Sequence, residues 1–319
     1  MKLCTTLCGR DFLDSGVRRN DEVGANVTSQ GFTKTARDVL SLFKLRIGFI
    51  IMLTALAGYA ITPGGNIGAL QLTVLALAVL VSSASAGAFN QYIECEEDKL
   101  MARTRTRAFV TGALPHKPAW LVLIVAMLIG SVAAAWYVSN AAAAFYTFLG
   151  AFFYAVVYTV WLKRRSWLNI VVGGLAGSFA VLAGAAAVNP VLGAEPLFLA
   201  LVLFLWTPPH FWSLAIANRA EYAAANVPML PVVVGDARAA QIVFYSTVAL
   251  VLVSLIAPII ANAPIYFAGA LIGGGYFIRK SWQLAQNPNR KTAMASFFAS
   301  LLQLSLLLVA AMVDVWVLR

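Results

Sequence analysis

Long apolar segments dominate this chain and restrict it to a membrane fold. Hydrophobic residues make up 61% and charged residues 11% of the 319 residues, which leaves too little polar surface to cover a soluble globule of this size. Crossing about 30 Å of hydrocarbon takes roughly 20 apolar residues in a helix. Segments of about that length lie near 43–61, 68–89, 118–138, 141–162, 169–188, 196–217, 240–261, 264–280 and 296–317. We therefore predict an all-α, polytopic membrane protein of nine transmembrane helices.

The basic residues are confined almost entirely to alternate connections. Eight Lys and Arg precede or open the first segment, five lie between segments 2 and 3, three follow segment 4, two separate segments 6 and 7, and four separate segments 8 and 9. Only Arg319, which follows segment 9, lies outside these alternate connections. Because Lys and Arg collect in cytoplasmic loops, we predict a cytoplasmic N-terminus and a C-terminus on the opposite side. The net charge of +10 then reflects topology and does not indicate a nucleic-acid partner.

The beginning of the chain differs from the rest. Residues 1–40 are polar and rich in mixed charge and have no helical apolar period, so we predict a disordered cytoplasmic leader followed by a transmembrane domain over 41–319. The first ten residues lack the apolar core and cleavage site of a signal peptide. The cysteines Cys4, Cys8 and Cys95 form no evident extracytoplasmic disulfide pair.

The first long cytoplasmic connection carries a cluster of acidic residues directly after the second apolar segment. Asn90, Glu94 and Asp98 are spaced four residues apart, which keeps their side chains within roughly an 80° arc of one helical face. Three oxygen ligands on one face suit a hard cation. Mg²⁺ in particular takes one or two carboxylates together with water and substrate phosphate oxygens.

Basic residues follow this cluster closely. Arg103, Arg105 and Arg107 lie within reach of the same site, and carboxylates, a metal and guanidinium groups together describe a diphosphate pocket. The alternative is a solvated helix end with a topology-setting basic loop. In the second long connection Glu221 lies about one turn beyond the sixth segment, where it could hold a second metal or be an ordinary surface acid.

Two further positions have two interpretations each. Lys163, after Tyr158 and Trp161, is either a topology anchor or another phosphate contact. His210 lies inside the sixth segment, where an ionisable side chain is a functional candidate. The alternative is that it satisfies backbone carbonyls freed by the neighbouring prolines 208 and 209.

Several strings are unusual enough to point to a family. The chain resembles the UbiA-type intramembrane prenyltransferases, and within them it is most similar to the branch that prenylates haem. The matching strings, which occur in the family's order, are Asn90 to Asp98 with Met101, Arg103 and Arg107, then Tyr158 to Arg164, Trp206 to Trp212, and Val227 to Val233 with Gly235.

The resemblance implies a nine-helix bundle around a central cavity that opens to the cytoplasmic face. It implies transfer of a farnesyl group from farnesyl diphosphate to the vinyl group of haem B, giving haem O and diphosphate, in the inner membrane of a bacterium. The cofactor it implies is Mg²⁺, as one or two ions. The implied partners are the lipid bilayer, haem A synthase and terminal oxidase assembly, with no nucleic acid.

The resemblance also assigns roles to residues. Asn90, Glu94, Asp98 and Glu221 would be metal ligands, and Arg103, Arg107 and Lys163 would bind phosphate oxygens. Tyr158 would line the cavity near the allylic cation. His210 would ligate or orient the haem iron, a hypothesis from its position and residue type.

This sequence departs from the family pattern at a few positions. Glu94 and Glu96 stand where Asp is usual, Ala108 stands where Pro is common, and Ala220 precedes Glu221 where a second acid often occurs. The longer Glu shifts a carboxylate by about one methylene without losing the ligand type. Because Ala220 removes an acid from the second loop, the second metal site is less well supported by the sequence than the first.

Three alternative functions stay open at this stage. One is a prenyltransferase of the same architecture with an aromatic or chlorin acceptor. Another is a transporter or channel, whose ionisable residues should lie near mid-membrane. The last is an assembly factor that binds haem without modifying it.

Overall fold

The computed structural model describes residues 36–65, 67–261 and 263–318. Within these ranges the chain is helical and contains no strand, in agreement with the predicted all-α class. Most of the predicted leader, including Cys4 and Cys8, lies outside the described residues. Residues 36–40 of the predicted leader belong to a helix, Ala36–Leu42, and the division of the chain at residue 40 stays a prediction.

Fifteen α-helices and one π-helix occur in the described ranges. In chain order the helices are α1 Ala36–Leu42, α2 Leu45–Ile61, α3 Ala69–Ile93, α4 Cys95–Asp98, α5 Ala108–Thr111, α6 Ala119–Val138, α7 Ala141–Phe152, the π-helix Phe153–Leu162, α8 Asn169–Gly173, α9 Leu175–Val188, α10 Ala194–Ala217, α11 Arg219–Ala224, α12 Leu230–Val234, α13 Asp236–Ala261, α14 Pro264–Gln286 and α15 Arg290–Leu318.

Each of the nine predicted segments corresponds to one helix or to a pair of helices joined end to end. Seven spans within the described ranges are long and apolar enough to cross a membrane: α3, α6, α7 with the π-helix, α8 with α9, α10, α13 and α15. The pair α1 and α2, bent by 44°, gives an eighth. Helix α14 is not among them, so the count of nine crossings stays a prediction.

Close backbone contact joins two of the central helices. Helix α2 packs against both α3 and α9. A side-chain carbon built on Gly184 would lie 1.8 Å from the Ala55 carbonyl oxygen, and one built on Gly58 would lie 2.1 Å from that of Val181. Only glycine permits this approach, because any Cβ would overlap the opposite backbone.

The span that begins with α7 changes its helical geometry in its second half. Residues Phe153–Leu162 form a ten-residue π-helix, although the sequence predicts an ordinary helix through this segment. π-helical turns are rare and frequently occur at functional sites. Here the wider turn ends at Lys163 and carries Tyr154, Tyr158 and Thr159 towards the end of α3.

An acidic residue near the opposite end of the bundle has a structural partner. Asp314 of α15 is 2% exposed, and its Oδ1 accepts hydrogen bonds from the backbone N–H groups of Ile265 at 2.8 Å and Tyr266 at 3.3 Å. These are free donors at the N-terminus of α14. Asp314 therefore caps a neighbouring helix, which accounts for a carboxylate in an apolar span without a transport role.

Candidate active site

The three oxygen-bearing side chains at the end of α3 are all buried. Asn90 is 2% exposed, Glu94 3% and Asp98 1%. The helix breaks at Glu94, yet the hydrogen bonds from Glu94 N to Asn90 O and from Asp98 N to Glu94 O keep the four-residue spacing of a helix across the break. The predicted shared face is therefore preserved, and it points into protein and away from solvent.

Each of the two buried carboxylates has a cation as its partner. The Nζ atom of Lys163 donates to both carboxylate oxygens of Glu94 at 2.5 Å, and only 9% of the Lys163 side chain is exposed. The guanidinium of Arg107 forms a short salt bridge with Asp98. Charges taken out of water must be paired in this way, because an unpaired buried ion costs several kcal/mol.

Asn90 connects two other elements to the site. Its Oδ1 accepts a 2.6 Å hydrogen bond from Lys44, at the junction of α1 and α2. Its Nδ2 donates to the Thr159 hydroxyl of the π-helix at 3.2 Å. Lys44 also donates to the Tyr154 hydroxyl at 3.4 Å. The site thus draws side chains from the start of α2, the end of α3 and the end of the π-helix.

One carboxylate oxygen in this site has no partner. Asp98 Oδ1 is buried and accepts no hydrogen bond within the described part of the chain. Burial raises the pKa of this carboxyl group above its ordinary value, and the neighbouring Arg107 opposes that shift. Such an orphaned hard oxygen fits a metal ligand. Nowhere in the described ranges do three or more His, Cys, Asp or Glu side chains converge as a complete metal site.

Aromatic rings of the π-helix line the side of the site nearest the apolar interior. The rings of Tyr154 and Tyr158 stack with centroids 5.6 Å apart, and the Lys163 ammonium lies 5.8 Å from the centre of the Tyr158 ring. A Cβ built on Gly173 would lie 2.9 Å from the Tyr158 ring, so this glycine makes room for it. Aromatic faces attract cations, which suits a site next to charged groups.

A second layer of charge surrounds the first. Glu97 pairs with Arg164 at 2.6 Å, while the exposed Glu96 pairs with Lys99 at 2.7 Å. Glu97 also retains a buried Oε2 without a partner in the described residues. The acidic cluster thus separates into a buried, site-facing set and an outer set, in which Glu97 alone links α4 to the end of the π-helix.

The second long loop docks onto the first through an apolar contact. Met101 is 1% exposed and packs with Tyr222, Val227 and Met229 in one buried cluster. The neighbouring Arg103 lies over the Tyr222 ring at 5.4 Å and donates to its hydroxyl at 3.3 Å. Arg103 is therefore engaged with the second loop.

Glu221 itself is held less firmly than the carboxylates of α3. It lies on the short helix α11 and is half-buried, and its Oε2 is enclosed without a hydrogen-bond partner in the described residues. The adjacent Arg219 forms an exposed pair with Asp236 at 3.3 Å. Position 221 thus offers a free carboxylate oxygen, and Ala220 adds no second acid.

The two histidines lie apart from the acidic residues. His116 stacks on Tyr92 at 4.0 Å, and its Nε2 lies 2.9 Å from the Tyr92 carbonyl oxygen, beside a cavity of about 460 Å³ that Cys95 also lines. His210 lies between α10 and α15, where its Nδ1 is 2.6 Å from the Ser300 hydroxyl. Neither ring has a hydrogen bond or ring contact with Glu94, Asp98 or Glu221 within the described ranges.

Lys44 and Tyr154 were not singled out from the sequence. The sequence could have indicated Lys44, because a lysine at the edge of an apolar span is costly unless it has a partner. Nothing in the sequence indicated Tyr154, since a tyrosine in a membrane helix is common.

A comparison with protein families identifies the architecture. Residues 51–307 match the UbiA prenyltransferase family. The chain belongs to this family. It is 52% identical to protoheme IX farnesyltransferase 2 of Paramagnetospirillum magneticum over 88% of this chain and 98% of that protein. It is 37% identical to protoheme IX farnesyltransferase of Azotobacter vinelandii, over 90% of this chain and 96% of the relative.

Solved structures share the fold of this family member at low sequence identity. A structure described for digeranylgeranylglyceryl phosphate synthase aligns with a TM-score of 0.72 at 18% identity, covering 88% of this chain and 99% of the other. A UbiA homologue from Archaeoglobus fulgidus bound to DMAPP and Mg²⁺ aligns with a TM-score of 0.65 at 16% identity, covering 84% and 98%. These likenesses establish the fold alone.

Proposed function

We propose that this chain is a protohaem IX farnesyltransferase, which transfers the farnesyl group of farnesyl diphosphate to a vinyl group of haem B and yields haem O and diphosphate. The observation that carries the proposal is the 52% identity to a curated enzyme of that name over nearly its whole length. The buried, cation-paired carboxylates at the end of α3 support it, because diphosphate chemistry needs both charge types together.

The diphosphate and its metal would be held by the side chains at the end of α3. Asn90, Glu94 and Asp98 supply hard oxygen atoms, and the unpartnered Oδ1 of Asp98 is free to accept a ligand without breaking a contact. Bound Mg²⁺ would supply positive charge that stabilises the departing diphosphate. The A. fulgidus homologue with DMAPP and Mg²⁺ supports this choice of metal.

The cations that now pair with these side chains would bind phosphate oxygens. Lys163 and Arg107 neutralise Glu94 and Asp98, and Lys44 bonds Asn90. With Mg²⁺ held by these oxygen ligands, all three positive groups would lie next to the incoming phosphates and neutralise their charge. Arg103 would approach from the second loop, and Glu221 would hold a second metal through its free Oε2.

Release of diphosphate would leave an allylic cation that must be shielded from water. The tyrosine rings of the π-helix present electron-rich faces beside the charged site, so Tyr158 would stabilise the cation. Attack by the terminal vinyl carbon of haem B forms the new C–C bond. Water then adds to the neighbouring carbon and loses a proton, which gives the hydroxyethylfarnesyl side chain. Early entry of water would quench the cation to farnesol.

The farnesyl tail and the porphyrin both require an apolar binding cavity. A bundle of nine spans around a central cavity open to the cytoplasmic face would provide it. His210 of α10 would contact the haem from within this bundle. The basic connections support a bacterial inner-membrane location with the N-terminus in the cytoplasm and the C-terminus in the periplasm. The product would pass to haem A synthase or to terminal oxidase assembly.

The direct test is mass spectrometry of haem extracted from cells that express the chain. We expect a farnesylated, hydrated haem, and we expect it to be missing from cells with the Asp98→Asn variant. Incubating membranes with farnesyl diphosphate and either haem B or 4-hydroxybenzoate separates this function from that of a related prenyltransferase. Well-inserted protein that yields only unmodified haem B would contradict the proposal.

A further inference from the structure

One buried imidazole has a defined environment that the diphosphate site does not use. The ring of His210 is sandwiched between Trp206, with centroids 4.1 Å apart, and Phe297, at 4.5 Å. The residue is 5% exposed. Its Nδ1 lies 2.6 Å from the hydroxyl oxygen of Ser300 on α15. Stacking on both faces and this contact at one edge fix the orientation of the ring.

The Ser300 hydroxyl also fixes which ring nitrogen carries the proton. It donates its only hydrogen to the Phe297 carbonyl oxygen at 2.6 Å, so towards His210 it can act only as an acceptor. Nδ1 of His210 must therefore be the N–H donor. A charged imidazolium would be costly in these apolar surroundings, so the ring is neutral and Nε2 keeps its lone pair.

The second ring nitrogen has no partner within the described residues. Nε2 accepts no hydrogen bond from this part of the chain, and it is not among the fully buried side-chain atoms without a partner. Imidazole nitrogen with a free lone pair is the usual protein ligand of haem iron. A ligating histidine generally donates its other N–H to an oxygen, as His210 does to Ser300.

We propose that Ser300 is a positioning residue that presents Nε2 of His210 to the iron of the haem substrate. The inference rests on the proposed function, which makes haem the acceptor. The bond forms by donation of the Nε2 lone pair to iron and requires no proton transfer or redox partner. Iron coordination on α10 would fix the porphyrin so that one vinyl edge faces the farnesyl cation.

Ferric haem B titrated into purified full-length protein tests the inference through its absorption and resonance Raman spectra. We expect a nitrogen-ligated spectrum in the wild type and its loss in His210→Ala. Added imidazole should restore it in His210→Gly. Ser300→Ala should weaken haem affinity by about 10- to 100-fold, as loss of a partner that orients a metal ligand does. Ser300→Thr, which keeps the hydroxyl, should recover most of that loss.

Two matched controls exclude simpler explanations. Ser296 is equally buried on α15 and its hydroxyl lies 2.9 Å from that of Ser213, so Ser296→Ala measures the cost of losing a neighbouring hydroxyl contact. His116→Ala tests for ligation by the other histidine. The inference is overturned if His210→Ala keeps the wild-type spectrum, or if Ser300→Ala binds haem as tightly as Ser296→Ala.

A product assay in the same preparations distinguishes this inference from the proposed function. Wild type that farnesylates haem while His210→Ala keeps an unchanged spectrum overturns the Ser300 inference alone. Wild type that is folded and forms no farnesylated haem overturns the proposed function and this inference with it. Haem that stays bound to His210→Gly through gel filtration in the presence of imidazole shows that the variant is folded, so a lost spectrum in its absence supports the inference.

Discussion

The two long acidic loops differ in how firmly their carboxylates are held. At the first loop Glu94 and Asp98 are almost fully buried and each faces its own cation. At the second loop Glu221 is half-buried and forms no ion pair within the described residues. The first site is therefore organised before any substrate arrives, whereas the second carries a carboxylate that no cation holds in place.

The difference has a structural origin. The first cluster continues from the 25-residue helix α3 and faces the rigid end of the π-helix, so its side chains are fixed from two directions. Glu221 lies on a six-residue helix, and position 220 carries Ala. We expect catalysis to depend strongly on the first loop and weakly on the second.

The largest effect should come from Asp98→Asn. The change keeps the size of the side chain but removes the negative charge that a metal requires, so we expect haem farnesylation to fall by about 10²–10³-fold, as for loss of a preorganised charge-stabilising group. Product formation by quantified protein in membranes measures it. Activity within threefold of the wild type would mean that Asp98 is not a ligand.

Lys163→Met should have the largest effect on stability. It leaves the carboxylate of Glu94 buried and unpaired, and breaking a buried pair costs about 3–5 kcal/mol. Thermal unfolding in detergent measures this loss. The double variant with Glu94→Gln removes both charges and should recover most of the stability without recovering activity. If the single variant unfolds like the wild type, the pair is not the buried contact described here.

Glu221→Gln tests whether the second loop contributes less to catalysis than the first. Because this carboxylate is half-buried and pairs with no cation within the described residues, we expect a smaller loss of activity than for Asp98→Asn. Mg²⁺ titrations of the activity provide the measurement. A loss as large as that of Asp98→Asn would show that both loops carry equal weight.

Tyr222→Phe should have the smallest effect. It removes the hydrogen bond to Arg103 and keeps the aromatic face, so we expect KM for farnesyl diphosphate to rise about fivefold, corresponding to about 1 kcal/mol. Arg219→Ala, which breaks an exposed pair on the same helix, is the matched control and should leave KM unchanged. Equal effects of the two changes would remove any special role for Tyr222.

Local spacing predicted the shared face of the acidic cluster but not the ion pair and hydrogen bond that it forms with distant lysines. Asn90, Glu94 and Asp98 share a face because a four-residue spacing is a helical repeat, and the sequence contains that information. Their partners Lys44 and Lys163 lie 46 and 69 residues away from Asn90 and Glu94, so only the packing of α2 and the π-helix on α3 brings them together.

Two other features of the structure could not be predicted from the sequence. The apolar pattern of 141–162 predicts a continuous helix, but hydrophobicity carries no information on the change to π-helical geometry at Phe153. The pairing of Nδ1 of His210 with Ser300 joins residues 90 positions apart, and neither residue type alone indicates it.

The central claim is that the oxygen ligands at the end of α3 exchange their internal cations for a metal-bound prenyl diphosphate. Calorimetric binding of a non-hydrolysable farnesyl diphosphate analogue to the purified protein, with and without Mg²⁺, tests it most directly. We predict tight binding that requires Mg²⁺ and is lost in Asp98→Asn. Equal affinity in the absence of Mg²⁺, or unchanged Mg²⁺-dependent binding by the variant, would contradict the claim.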